Sequence, residues 1–257
     1  MRGLTSITVV IPVLNDAAML QRALECIAEQ LRPADEIIVV DNGSADDSVA
    51  VAEAAGARVV RQPVAGIWPA AAAGYDAASG DVIARIDADS RPPVDWLAHI
   101  EAEFATSPET GAVTGPGDFY DGNGLVTMLG RNLYIGGYFW AMSIWLGNSP
   151  LFGSNFAMRR DVWMRVRGSV HSALHDIHDD LDLSMHLPLD VNVRLDETLR
   201  VGISARPFAT WRGFGRRLNW AFITLRMHWP EQTPWRRRAA RAALKHGHGP
   251  ERLAGEA

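Results

Sequence analysis

Residues 7–16 read ITVVIPVLND, residues 36–44 read EIIVVDNGS, and residues 81–89 read DVIARIDAD. Each stretch contains a short run of β-branched and other apolar residues, as expected of a strand that is buried on both faces of a sheet. Each apolar run is followed by amide or acidic side chains, namely Asn15 with Asp16, Asp41, and Asp87 with Asp89. The three stretches therefore predict strands with polar groups at their carboxyl ends.

Helical patterns separate these strands. Apolar residues at helical spacing predict helices over residues 17–30, 68–78 and 94–104, and Ser44 is a candidate cap for a helix over 46–55. A further strand is predicted over 58–61. Strand–helix alternation with short links indicates βαβ units and a parallel sheet, which binds ligands at the carboxyl ends of its strands.

The second half of the chain is less regular. Residues 125–146 are apolar and aromatic, and a turn-like break at 153–155 precedes a short strand. The remaining patterns predict a helix over 180–187, strands over 191–195 and 199–204, and a basic aromatic helix over 214–229. Since neither a repeat nor a clean linker interrupts the pattern, we expect a single domain.

Charge is distributed unevenly. The net charge of −5 combines about −13 over residues 1–205 with about +9 over residues 206–246. The C-terminal segment is therefore a basic element attached to an acidic domain. The single cysteine, Cys26, excludes an internal disulfide and a cysteine-based zinc site within one chain. With no signal-peptide pattern and no apolar run of about 20 residues, we expect a cytoplasmic protein.

The pair Asp87 and Asp89 is the strongest local indication of chemistry. Two carboxylates two residues apart, just past a buried strand, can reach the same crevice and hold a hard cation such as Mg²⁺ or Mn²⁺. The alternative interpretation is a pair of solvated loop acids. Residues 41–44 allow a similar choice, because Asp41 can accept hydrogen bonds from a nucleoside while Asn42 and Gly43 are also typical of an ordinary turn.

At this point the sequence resembles a known family. The runs 9–15, 39–44 and 86–89 occur in the order and at the spacing of family 2 glycosyltransferases of the GT-A fold. The run 153–160 resembles the family's acceptor-side strand, and residues 179–183 resemble its acidic pair followed by a helix. The resemblance covers residues 5–205. It implies a Rossmann-like α/β fold with a mostly parallel central sheet flanked by helices, a nucleotide-binding half to about residue 115, an acceptor half from about 116, and a basic helical extension over 206–257.

The resemblance also implies roles for individual residues. Asp41 would contact the base of the donor nucleotide, often uridine, and Asp87 would lie near the ribose. Asp89 would ligate a Mn²⁺ or Mg²⁺ ion that bridges the two phosphates of the donor. The other residues implied to contact the donor nucleotide are Pro12, Val13, Asn15 and Ala88.

On the acceptor side, Asp180 lies where the family's catalytic base usually falls, and Asp179 takes the position of a glutamate. Gly153, Ser154 and Asn155 would line the acceptor site. A base that removes the proton of an acceptor hydroxyl on the face opposite the leaving phosphate enforces a single displacement and inverts the anomeric centre. Without the upstream motifs, Asp179, Asp180 and Asp182 would equally suit the first turn of a helix.

Two features depart from the family pattern or extend it. Residues 70–73 are alanines where many relatives carry Arg-Asn, and Arg85 stands where relatives are apolar, so it is either buried and paired or directed at the donor. Some GT-A enzymes add a histidine to the metal site, and His228 is the candidate here. The other reading is that His228 and the histidines near residue 180 are ordinary hydrogen-bonding residues.

The composition of the C-terminal segment predicts contact with a membrane surface or with the acidic domain. Nine basic residues alternate with aromatic residues between 211 and 245, and residues 134–145 are also aromatic. This composition is typical of an interfacial anchor on anionic lipid, and equally of an arginine-rich helix that packs on an acidic domain. The hypothesis is a peripheral enzyme at the inner face of the cell membrane with a lipid-linked or glycan acceptor. We expect no nucleic-acid partner.

Two other functions fit part of the sequence. A sugar nucleotidyltransferase also uses an α/β sheet and paired carboxylates with a metal. It usually carries a glycine-rich basic loop near the first strand, which residues 12–15 do not provide. A non-catalytic nucleotide-binding scaffold is the third possibility, against which the complete set of Asp87, Asp89 and Asp180 argues.

Overall fold

A computed structural model describes residues 5–121, 135–206 and 211–245. Its central feature is a seven-stranded sheet. The strands are β1 (Ile7–Val13), β2 (Glu36–Asp41), β3 (Arg58–Arg61), β4 (Val82–Arg85), β5 (Thr110–Thr114), β7 (Phe156–Arg159) and β8 (Asn192–Leu195). Their order across the sheet is β3-β2-β1-β4-β7-β5-β8. Strand β7 runs antiparallel to both of its neighbours, and the other pairs are parallel. The predicted α/β fold with a mostly parallel sheet is confirmed.

Helices cover both faces of the sheet. The helices of the sheet domain are α1 (Ala17–Ala28), α2 (Ser48–Ala54), α3 (Ile67–Ala77), α4 (Trp96–Thr106), α5 (Gly136–Leu146), α6 (Arg160–Val166) and α7 (Asp179–His186). Val9 and Ile11 of β1 pack with α1 and α4 on one face, whereas Val10 packs with α3 on the other. Burial on both faces explains why these strands are continuously apolar rather than alternating.

A small second sheet extends one of these layers. Strand β6 (Gly117–Phe119) pairs in parallel with β9 (Val201–Ile203). Phe119 and Ile203 join the apolar cluster beneath α1 and α4. The segment that follows β9 is thereby directed back toward the carboxyl ends of β1 and β4, where Arg206 contacts Asp16 and Asp89.

Several predicted boundaries are wrong. Helix α2 begins at Ser48 rather than residue 46, because the Asp46 carboxylate accepts hydrogen bonds from the backbone N–H and the hydroxyl of Ser48. Strand β5 and helix α6 were not predicted. Thr110–Thr114 is composed of small and polar residues, and its extended form depends on pairing with β7 and β8. The apolar run over 125–146 is a helix from Gly136 onward, and its first part lies outside the described residues.

The basic extension forms two helices rather than one. Helix α8 (Trp211–Met227) packs through Ala221 and Leu225 on Leu181 and Met185 of α7. Helix α9 (Pro234–Lys245) lies against α5, where buried Arg237 donates hydrogen bonds to the carbonyls of Leu146 and Met185. None of the helices in the described ranges combines the length and the apolar character that a bilayer span requires.

Candidate active site

Two adjoining pockets lie at the carboxyl edge of the sheet. The first, which we call the strand-end pocket, is lined by Pro12, Val13, Asp16, Asp87, Ala88 and Asp89 among others. The second, the acidic pocket, is lined by Asp87, Gly153, Ser154, His178, Asp179 and Asp180 among others. Asp87, Ile67 and Arg217 belong to both. The side chains that the family resemblance divides between donor and acceptor therefore surround one continuous crevice.

Asp89 is held at the strand-end pocket by Arg206, a basic residue that is distant from it along the chain. The Nη2 atom of Arg206 lies 3.1 Å from Oδ2 of Asp89 and 2.5 Å from Oδ2 of Asp16. Burial and the neighbouring charge of Asp87 raise the pKa of Asp89 to about 6, although Arg206 opposes the shift. Asp89 therefore begins to take up a proton as the pH falls toward 6.

Asp87 is fixed from two sides. Its Oδ1 lies 3.0 Å from Nη2 of Arg85, and its Oδ2 accepts a 2.6 Å hydrogen bond from the Ser154 hydroxyl. Arg85 also reaches Asp179, with 2.7 Å between Nη1 and Oδ2. Only 2% of the Arg85 side chain is exposed. Of the two alternatives for Arg85, the structure shows the buried and paired one, and Arg85 connects the two pockets electrostatically.

Asp180 is held by a histidine and by a backbone amide. Its Oδ1 lies 2.5 Å from Nδ1 of His178, and its Oδ2 accepts a 2.7 Å hydrogen bond from the N–H of Gly153. A side chain at residue 153 would meet Nη1 of Arg85 at 2.7 Å, so this close approach requires glycine. The turn at Gly153 and the start of α7 therefore build the acidic pocket together.

The pKa values of the two adjacent carboxylates are shifted in opposite directions. Burial alone would raise the pKa of Asp180, but the facing His178 ring, together with Arg85 and the Gly153 N–H, lowers the pKa below its usual range. Burial raises the pKa of Asp179, and the charge of Asp180 adds to this increase against the effect of Arg85. Burial would lower the pKa of His178, but Asp180 raises it. The pair His178 and Asp180 thus favours an ionised Asp180.

Three predicted site residues accept or donate side-chain hydrogen bonds within the protein. Asp41 is buried and accepts a hydrogen bond from the N–H of Ser44 at 2.9 Å. The side chain of Asn15 accepts from the N–H of Ala45. Asn155 is fully buried and contacts Trp96, Leu199 and Pro116. All polar atoms of the Asn155 side chain are thereby used, so its contribution is to position the turn before β7.

His228 lies in a different place from the predicted metal site. Among the described residues, the hydrogen bond, ion pair and ring contacts of its side chain are with Thr224, Asp182, His171 and His186, and none is with Asp89. Asp182 is fully buried at the centre of this group. The helix α8 carries His228 to α7 rather than to the strand-end pocket.

Sequence reasoning missed the arginines that complete the crevice. Arg206 contacts Asp89, and Arg217 of α8 lines both pockets, although neither belongs to a recognisable motif. The only sequence signal is the change from acidic to basic composition at residue 206. These arginines place positive charge at a crevice whose charged lining residues are mainly aspartates.

Comparison with known proteins is consistent with this geometry. The model of glycosyl transferase family 2 matches residues 8–167. An uncharacterized glycosyltransferase of Mycobacterium tuberculosis is 39% identical over 99 residues, which are 38% of this chain and 44% of the relative. An undecaprenyl-phosphate 4-deoxy-4-formamido-L-arabinose transferase of Sodalis glossinidius is 37% identical over 37% of this chain and 32% of the relative. The match thus spans less than half the length of these curated relatives.

A solved structure shares nearly the whole fold. The mannosyltransferase PcManGT from Pyrobaculum calidifontis, in complex with GDP-Man and Mn²⁺, superposes with a TM-score of 0.69. The superposition covers 95% of this chain and 71% of PcManGT, at 20% sequence identity. At this identity the likeness concerns the fold, which is of the GT-A type.

Proposed function

Because this chain belongs to glycosyl transferase family 2, we propose that it transfers a sugar from a nucleoside diphosphate donor to an acceptor hydroxyl in one inverting displacement. The observation that supports this proposal is the adjacency of the two pockets. Asp89 lines one pocket, Asp180 lines the other, and Asp87 lines both. A donor diphosphate in the strand-end pocket would place its sugar toward the carboxylates of the acidic pocket.

The strand-end pocket has suitable ligands for a divalent cation. Asp16, Asp87 and Asp89 offer carboxylate oxygens, which Mg²⁺ and Mn²⁺ prefer, and a diphosphate can supply further oxygens. When bound, such a cation stabilises the negative charge that develops on the leaving diphosphate. Arg206 bridges Asp16 and Asp89 and keeps both carboxylates at the same pocket. Asp89 is the residue on which we expect cation binding to depend most.

We assign the role of general base to Asp180, whose lowered pKa favours the ionised form. Both of its oxygens accept one hydrogen bond, and each carboxylate oxygen retains a second lone pair for the acceptor hydroxyl. As the acceptor oxygen forms its bond to the anomeric carbon, its proton passes to Asp180. The bond from the anomeric carbon to the diphosphate breaks, and its electron pair leaves with the phosphate oxygen. Ser154 and Arg85 hold Asp87 in place during this exchange.

The test is a panel of UDP-sugars, GDP-sugars and other nucleotide sugars, incubated with the full chain and Mn²⁺. Slow release of nucleoside diphosphate supports glycosyl transfer and identifies the nucleoside of the donor, which we predict to be uridine. Formation of nucleoside triphosphate from added pyrophosphate would instead indicate a nucleotidyltransferase. If neither reaction occurs, the result would support the non-catalytic scaffold.

Replacing Asp89 with Asn is expected to reduce the rate of the Mn²⁺-dependent reaction by about 100-fold or more, because a bound metal contributes several kcal/mol to stabilising the leaving group.

In the unaltered protein, Mn²⁺ affinity should fall as the pH drops below about 6, where Asp89 becomes protonated and the cation must displace the proton. Both effects are measured by titrating Mn²⁺ at fixed donor concentration. The control is Asp190→Asn, which alters an exposed ion pair with Arg165. Equal Mn²⁺ dependence in the two variants would contradict the role of Asp89.

We further propose that the acceptor is linked to a lipid and that the enzyme works at a membrane surface. Leu218, Phe222 and Arg226, spaced four residues apart, lie on one exposed face of α8. Beyond the helix, the ring of Trp229 lies 5.5 Å from that of Trp235, and both side chains are more than half exposed. Exposed aromatic and basic side chains together suit the interface of an anionic bilayer. The similarity to an undecaprenyl-phosphate transferase supports the same acceptor class.

The membrane proposal predicts flotation with anionic vesicles at moderate salt and weaker flotation with zwitterionic ones. The double substitution Phe222→Ser and Trp235→Ser should reduce vesicle affinity at least about tenfold, because each large apolar side chain contributes roughly 1.5–3 kcal/mol when buried. Leu31→Ser is the matched control, since Leu31 is 74% exposed on the loop after α1. Absence of flotation, or equal loss in the control, would rule the membrane role out.

A further inference from the structure

A cluster of three histidines and one aspartate lies outside the two pockets. It consists of His171, Asp182, His186 and His228, and each residue offers one ligand atom within 4.8 Å of the others. His171 precedes α7, Asp182 and His186 belong to α7, and His228 follows α8. The mechanism proposed above uses none of these four residues.

The ligand-atom separations that involve Asp182 are compatible with a tetrahedral metal site. Oδ1 of Asp182 lies 2.8 Å from Nδ1 of His171 and 3.6 Å from Nε2 of His228. In a tetrahedral zinc site with bonds of about 2.1 Å, neighbouring ligand atoms are about 3.4 Å apart. The observed separations fall on either side of this value.

The surrounding hydrogen bonds orient the ligands as in known metal sites. The ring Nδ1 atoms of His186 and His228 donate to the carbonyl oxygens of Asp182 and Thr224, each at 2.8 Å. Their protons are therefore on Nδ1, and the lone pairs are on Nε2. Such a bond from the non-ligating nitrogen to a carbonyl is the usual arrangement for metal-binding histidine.

The surroundings of His228 and Asp182 also suit metal ligands. His228 is 6% exposed, and its Nε2 has no hydrogen-bond partner within the described part of the chain. Oδ2 of Asp182 accepts hydrogen bonds at 2.9 Å from the indole N–H of Trp68 and from the backbone N–H of His171. Ligating carboxylates are commonly held by such bonds, and Oδ1 stays directed at the three imidazoles.

We propose that His171, Asp182, His186 and His228 bind one divalent cation of the zinc class, separate from the cation at Asp89. Imidazole nitrogens suit Zn²⁺ and Co²⁺, whereas Mg²⁺ and Ca²⁺ prefer sites made of oxygen ligands. The protein supplies all four ligands of a tetrahedral site, as in a structural zinc site. The cation joins α8 to α7, the helix whose first turn carries Asp179 and Asp180.

The experiment uses the full chain without a histidine tag, stripped of metal by a chelator and carrying Asp89→Asn to remove the other cation site. We expect titration with Co²⁺ to saturate at one ion per chain and to produce the strong visible absorption of tetrahedral cobalt. Zn²⁺ should displace the Co²⁺ and raise Tm, because it binds the folded state. His171→Ala and His228→Ala should each weaken Co²⁺ binding at least about 100-fold, since loss of even an outer-shell partner costs about 10–100-fold.

His99→Ala is the matched control, because His99 pairs with a carboxylate of Asp196 at 2.9 Å but lies outside the cluster. The control should bind Co²⁺ like the parent. Absence of saturable visible bands in the parent, or unchanged bands in His171→Ala, would overturn the proposal and leave a hydrogen-bonded histidine cluster. The spectrum of the parent does not depend on any single variant folding, and none of these measurements requires a sugar donor.

Discussion

The substitution Asp180→Asn is expected to reduce the rate of sugar transfer by about 10²- to 10⁴-fold, which is the usual contribution of a general base. Asparagine has nearly the same shape and can still meet the N–H of Gly153, so the pocket should keep its form. The affinity for the donor nucleotide should change little, because Asp180 lines the acidic pocket and not the strand-end pocket. Single-turnover transfer and nucleotide binding measure the two quantities separately.

Two comparisons make this prediction specific. Asp190→Asn removes a carboxylate of the turn after α7 that is 60% exposed and should leave transfer unchanged. A variant that loses donor affinity and transfer equally would show that Asp180 acts in donor binding. Transfer at nearly the parent rate would refute its assignment as the base.

Replacing the buried Arg85 with methionine should lower the free energy of unfolding by about 3–5 kcal/mol, since removing one partner leaves uncompensated buried charges. Arg85 pairs with Asp87 at 3.0 Å and with Asp179 at 2.7 Å. Methionine fills part of the volume but provides no positive charge. Urea denaturation followed by circular dichroism measures the change.

The pH dependence of this variant has a definite sign. Burial and Asp180 already raise the pKa of Asp179, and Arg85 opposes that increase. Without Arg85 the folded-state pKa should rise further, and a group with a raised folded-state pKa loses stability as the pH increases. The stability difference between the parent and Arg85→Met should therefore be larger at pH 8 than at pH 5. A difference that grows toward acid pH would contradict this account.

Arg58→Met provides the control for Arg85. Arg58 pairs with Glu36 at 2.7 Å, but 47% of its side chain is exposed. Exposed ion pairs contribute about 0–1 kcal/mol, so this variant should remain close to the parent. Equal losses in the two arginine variants would mean that burial of the charge network is not what stabilises the crevice.

The first half of the fold was predictable because its cues are local. Strands β1, β2 and β4 are continuously apolar, the intervening helices have apolar residues at helical spacing, and parallel strands place their carboxyl ends together. The antiparallel insertion of β7 was not predictable in the same way. Its residues are apolar like those of the other strands, and only its neighbours β4 and β5 determine its direction.

Part of the candidate site was likewise predictable from the sequence, and part was not. The motifs around Asp87, Asp89 and Asp180 were identified from sequence, and the tertiary structure places Asp87 on both pockets. The partners of these carboxylates were not identified. Arg206 lies 117 residues from Asp89 along the chain, and no periodicity connects two residues at that separation. His228, the histidine assigned to the metal at Asp89, belongs instead to a cluster between α7 and the end of α8.

The sequence by itself determined the family, the parallel part of the sheet and the polar residues at its carboxyl edge, because these follow from patterns within about 15 residues. Only the tertiary structure decided how the carboxylates are neutralised. Arg85 lies between Asp87 and Asp179, Arg206 lies on Asp89, and three histidines surround Asp182. These pairings depend on where α7, β9 and α8 pack against the sheet, and packing between distant segments leaves no local pattern in the chain.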